Sequence, residues 1–112
     1  MNVPINSKEF TDFISDNNLF QLTQEKLTTC LKNWWTHDKA AFLEDMNADL
    51  ETVLKKYNFE NDGVSFSKSY SYDPPMDYIS VWIHIFDEEN NYICEYTAFY
   101  DLELQIFDDK IK

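Results

Sequence analysis

Hydrophobic positions repeat with one period in the first half of the chain and another in the second. Asn6-Ser7-Lys8-Glu9 has the form of a capping box, with Asn6 as N-cap and Glu9 three residues on. Phe10, Phe13 and Ile14 then share one helical face, and Asn17-Asn18 ends the element. A second helix start is expected at Thr23, where Leu22 and Leu27 stand at the positions of a hydrophobic staple. From there Leu27, Leu31, Trp34, Trp35, Phe42, Met46, Leu50, Val53, Leu54 and Tyr57 recur at intervals close to the helical repeat. That stripe is longer than an ordinary globular helix. Thr36-His37-Asp38 is the expected break, with Asp38 capping a new helix that opens on Lys39-Ala40-Ala41. The apolar period also runs through this point, so one bent helix fits the pattern too.

After Tyr57 the period becomes two. Asn61-Asp62-Gly63 reads as a turn, with Gly63 free to take positive φ. Val64, Phe66, Tyr70 and Tyr72 alternate with Ser65, Ser67, Ser69 and Ser71, a strand with one wet face. Asp73-Pro74-Pro75 ends it, because proline cannot donate to a ladder. Met76 to Phe86 is the strongest strand, Asp87-Glu88-Glu89-Asn90-Asn91 a polar hairpin loop, and Tyr92 to Tyr100 the return strand. Leu102 to Phe107 reads as a last strand, or as the third continued past a bulge near Tyr100-Asp101. The expected fold is α+β in one domain over 1–112. Two or three N-terminal helices (6–57) pack on one face of a three- to four-stranded antiparallel meander (63–108).

Centring the hairpin loop on Glu89 fixes a register. One face then pairs Ile85 with Ile93, Ile83 with Glu95, Val81 with Thr97 and Ile79 with Phe99. The other pairs Phe86 with Tyr92, His84 with Cys94, Trp82 with Tyr96 and Tyr78 with Tyr100. The aliphatic face suits the helices, which leaves Tyr78, Trp82, His84, Tyr96 and Tyr100 on a face with no evident cover. Exposed aromatic surface on a small protein marks a contact site. The alternative is that a terminal segment folds over this face, or that the two faces exchange roles.

Charge sharpens this reading. The chain carries 21 acids against 9 bases, a net charge of −12, and no base is Arg. Residues 1–57 hold nine acids and six lysines, whereas 58–112 hold twelve acids and three lysines, so most of the excess lies in the sheet half. Such a surface disfavours nucleic acid, which needs cationic side chains to displace counterions, and anionic membranes likewise. Asp73, Asp77, Asp87, Glu88, Glu89, Asp101 and Glu103 are the expected rim of the aromatic patch, an arrangement typical of protein interfaces.

Candidate chemistry is sparse. His84 and Cys94 would face each other in the register above, but carboxylates around a thiol raise its pKa and weaken it as a nucleophile. His37, His84, Cys30 and Cys94 share no metal-ligand spacing. Glu44, Asp45 and Asp49 read as a solvated helix face, and Asp87-Glu88-Glu89-Asn90 lacks the alternation of a calcium loop. One glycine in the chain excludes phosphate-cradling loops. No enzyme activity, metal or cofactor is expected. The opening residues carry no apolar run of a secretory signal and no stretch reaches membrane-spanning length, so a cytoplasmic protein with reduced thiols is the expectation.

The run Ile93-Cys94-Glu95-Tyr96-Thr97-Ala98-Phe99-Tyr100-Asp101-Leu102-Glu103-Leu104-Gln105-Ile106-Phe107-Asp108-Asp109 resembles the closing strands of small acidic immunity proteins from bacterial polymorphic toxin and contact-dependent growth inhibition systems. The resemblance implies a dedicated inhibitor that binds a nuclease-type toxin domain and blocks its basic active site or substrate groove. Two other readings fit an acidic aromatic domain. One is a DNA-mimic inhibitor of a host nuclease or restriction enzyme. The other is a small-ligand cup lined by the aromatic side chains.

Overall fold

The computed structural model describes residues 6–112. Helices α1 (Ser7–Asp16), α2 (Leu19–His37), α3 (Lys39–Met46) and α4 (Leu50–Lys56) precede strands β1 (Asn58–Ser69), β2 (Met76–Phe86), β3 (Tyr92–Tyr100) and β4 (Ile106–Ile111). The strands form one antiparallel sheet in the order β1-β2-β3-β4. Helices α2, α3 and α4 bury side chains against one face of it, while α1 lies against α2 and buries none fully. This is the α+β meander with helices first that the pattern predicts. Among the described residues no helix is long and apolar enough to cross a membrane.

Polar caps set the helix boundaries. Asn6 Oδ1 accepts from the Glu9 N–H at 3.0 Å, Asp38 Oδ1 from Ala41 at 3.1 Å and Asp49 Oδ1 from Thr52 at 2.8 Å. The long apolar stripe is therefore broken at Asp38, as expected, and again at Asn47–Asp49, where Asn47 adopts left-handed φ of 59°. Helix α2 begins at Leu19 rather than Thr23, because Asn18 with φ of 48° turns the chain straight out of α1.

The core joins Leu19, Leu27 and Leu31 of α2, Phe42 and Met46 of α3 and Val53 of α4 to Ile79, Val81, Ile83 and Ile85 of β2 and Cys94, Tyr96, Ala98 and Tyr100 of β3. Thr23 is the polar member on the helix side. Its hydroxyl donates to the Leu19 carbonyl at 2.7 Å and lies 2.9 Å from the Tyr100 hydroxyl, so neither group is left unpaired.

Three expectations about the sheet change. Asn61-Asp62-Gly63 is not a turn: β1 runs through it, and the register against β2 shifts between Asn61 and Gly63 as a bulge. The chain does not continue β3 past Tyr100. Asp101 accepts from the N–H groups of Glu103 at 2.9 Å and Gln105 at 3.0 Å, Leu104 takes φ of 62°, and β4 starts at Ile106 with Asp108 and Asp109 inside it. The largest change is in the central hairpin. Phe86 does pair with Tyr92, but the register then shifts, and Ile85 faces Cys94, Ile83 faces Tyr96 and Ile79 faces Tyr100. Ile93 is the extra residue of a bulge, and every later β3 side chain changes face.

Candidate partner-binding face of the sheet

Alternation along β2 sends Ile79, Val81, Ile83 and Ile85 to the helices and Tyr78, Trp82, His84 and Phe86 to the other side. None of the described helices packs on that second face. Its centre is built from β1 upward. Gly63 stands opposite Trp82, and a Cβ at Gly63 would overlap the indole ring. Gly63 does not use positive φ; its role is to let the indole lie on the backbone. The bulge turns Asp62 toward the same ring, where its Oδ2 accepts from Trp82 Nε1 at 2.5 Å. His84 Nε2 lies 3.5 Å from Asp62 Oδ2 and 3.2 Å from Glu95 Oε2, with Glu60 opposite His84 on β1.

Two aromatic groups flank this centre. Toward the β2–β3 loop, Tyr92 makes edge contacts with His84 (5.4 Å between centroids) and Phe86 (5.9 Å). Toward the other end, Tyr78, Phe99 and Phe107 lie 6.1–6.4 Å apart. They join Ser69, Tyr72 and Asp108 around a shallow cleft of about 190 Å³, open to solvent. Tyr92 and Phe107 are 54% and 44% exposed, so the rings are only partly sheltered by one another. The local field is negative: burial first, then the charges of Glu95, Cys94 and Asp62, push the Tyr92 phenol above its ordinary pKa.

The expected site residues divide. Tyr78, Trp82 and His84 are on the open face as predicted. Tyr96 and Tyr100 are not; both are fully buried under the helices because of the Ile93 bulge. The Tyr96 hydroxyl donates to Asp109 Oδ2 at 2.7 Å, and burial followed by that carboxylate pushes its pKa up. Asp77 is also on the helix side of the sheet, bridged to Lys68 at 2.7 Å. The remaining acids do not form a continuous rim. Asp87, Glu88 and Glu89 sit at one end of the hairpin, Asp73, Asp101 and Glu103 at the other, separated by roughly 30 Å of β2. Asp87 is spent on its own loop: the N–H of Asn91 (2.8 Å) holds its carboxyl below the usual range, and the N–H of Glu89 (2.9 Å) adds to this.

Glu60, Asp62, Glu95 and Asp108, missed as site residues, are the acids that do lie among the rings. The signal for Glu95 was present in the sequence, since the expected register buried its carboxylate against Ile83. Asp62 and Glu60 depend on the β1 bulge, which nothing in the local pattern marks.

The His84–Cys94 pair is dissolved by the same slip. His84 faces Glu95 in the open, whereas Cys94 Sγ is 3.8 Å from Met46 Sδ in the core. Burial, then Asp45 and Cys30, push the Cys94 thiol up to about 11, the opposite of what a thiolate nucleophile needs. Among the described residues no group of three or more His, Cys, Asp or Glu is placed to hold a metal ion. No protein-family model, no curated protein and no solved structure matches this chain.

Proposed function

We propose that this protein is an immunity protein, which neutralises a cognate, nuclease-type bacterial toxin domain in the cytoplasm by covering that domain's basic active site or groove. One observation carries the reading. The sheet face away from the helices holds Tyr78, Trp82, Phe86, Tyr92, Phe99 and Phe107 around the carboxylates Glu60, Asp62 and Glu95. Rings supply apolar area that loses little entropy when fixed, and carboxylates among them pair with the cationic side chains of a nucleic-acid groove once water is expelled. The net charge of −12 adds long-range steering toward such a groove. A small-ligand cup is less favoured, because the clefts between described residues are shallow and open.

The experiment is co-production in a bacterial host with the toxin domain encoded immediately upstream. Wild-type protein restores growth, and Trp82→Ala or Asp62→Lys, each folded by circular dichroism, does not. Full protection by both variants would overturn the assignment of this face. Failure of the wild type to protect, beside firm binding to a restriction enzyme, would instead favour the DNA mimic.

A further inference from the structure

A second surface, independent of the open face, lies along the outer edge of β1. The sheet begins at β1, so among the described residues no strand pairs with its other side. Its first part is covered, since Gln24 Nε2 of α2 donates to the Phe59 carbonyl at 3.2 Å and to Asn61 Oδ1 at 2.9 Å. Beyond the bulge no such bond protects it. There Phe66 is 50% exposed, and an extended edge with an exposed apolar side chain invites another strand. Its charge is the telling feature. Residues 63–72 contain no Asp or Glu in a chain that has 21, and their one charge is Lys68.

We infer that this edge pairs antiparallel with the same edge of a second copy, making a continuous eight-stranded sheet across a twofold axis. Two chains of −12 repel, and this is a segment along which they can meet without opposing carboxylates. Self-pairing centred on Ser67 sets Phe66 against Lys68 of the second copy, and the reverse. Both residues share the helix-side face, opposite Ile79 and Asp77 in β2. Ser65 then meets Ser69, and no lysine faces a lysine. The twofold is perpendicular to the sheet, so both helical layers lie on one side and both open faces on the other.

Sedimentation velocity and disulfide trapping test this on the full chain in a Cys30→Ser background. The protein sediments as a dimer, and Phe66→Lys, which sets lysine against lysine twice, weakens dimerisation by about tenfold or more. Ser67→Cys alone cross-links with itself on oxidation. Ser65→Cys and Ser69→Cys do so only when combined in one chain. Monomer at millimolar protein, a dimer indifferent to Phe66→Lys, or cross-linking at Ser65→Cys alone would each overturn the inference. Phe66 lies on the helix side of the sheet, so Phe66→Lys leaves the open face intact, and its outcome and that of growth protection are separable.

Discussion

Gly63 is required by a neighbour rather than by its own backbone. Gly63→Ala forces a methyl into the Trp82 indole, and overpacking of this kind costs about 1–3 kcal/mol in urea unfolding. In a Trp82→Ala background the same change is close to neutral, because the ring it strikes is gone. Thr23 makes a complementary case. Thr23→Val leaves the buried Tyr100 hydroxyl unpaired, at a cost of about 1–3 kcal/mol, and adding Tyr100→Phe recovers most of it. Cys94 predicts an alkaline limit. Its thiol ionises near 9.0 when unfolded and about 11 when folded, so the unfolded chain releases its proton first as pH rises. Stability is therefore complete below pH 9 and falls by about 2–3 kcal/mol toward pH 11. Thermal melts across that range detect the fall, and Cys94→Ala makes it shallower.

Elements were legible wherever a local group decides them. Asn6 and Asp38 fix helix starts through contacts within a few residues and are found where the pattern puts them, while the first strand runs over Asn58–Ser69 rather than from 63 to Tyr72. Failures came from single residues whose effect is felt across strands. Ile93 looks like an ordinary strand residue, yet as the extra member of a bulge it carries Tyr96 and Tyr100 into the core and Glu95 and Phe99 out of it. Asp62 likewise reads as a turn residue until the β1 bulge sets it against Trp82. The candidate site was thus legible along β2 at Tyr78, Trp82 and His84, with Asp77 the exception, and not along β1 or β3, where the alternation slips. The corrected register separates two kinds of aromatic. Tyr96→Ala removes a buried ring and costs about 3–5 kcal/mol of stability. Phe99→Ala, on the open face, leaves the melting temperature nearly unchanged and weakens partner binding.

At the scale of the molecule, the helices bind one side of the sheet and leave the other uncovered, aromatic at its centre and acidic. Most acids of residues 58–112 lie at the two ends of the hairpin or on the open face, while Asp77 and Asp109 are on the helix side. The end clusters have little to do with a contact centred on Trp82, but they add to the field that draws a cationic partner. Association with the toxin domain therefore slows as salt rises while dissociation changes little. Glu88→Lys with Glu89→Lys reduces the association rate and spares the dissociation rate. Asp62→Lys, at the centre that partner binding would desolvate, acts on dissociation.

The most direct measurement is the set of indole N–H signals in a nitrogen-15 spectrum of the protein titrated with the toxin domain. The chain has three tryptophans: Trp34 and Trp35 pack on Phe42 on the helix side, and Trp82 lies on the open face bonded to Asp62. Binding through the open face moves or broadens the Trp82 signal and leaves the other two in place. Movement of Trp34 and Trp35 with Trp82 unchanged would put the partner on the helices and contradict the account.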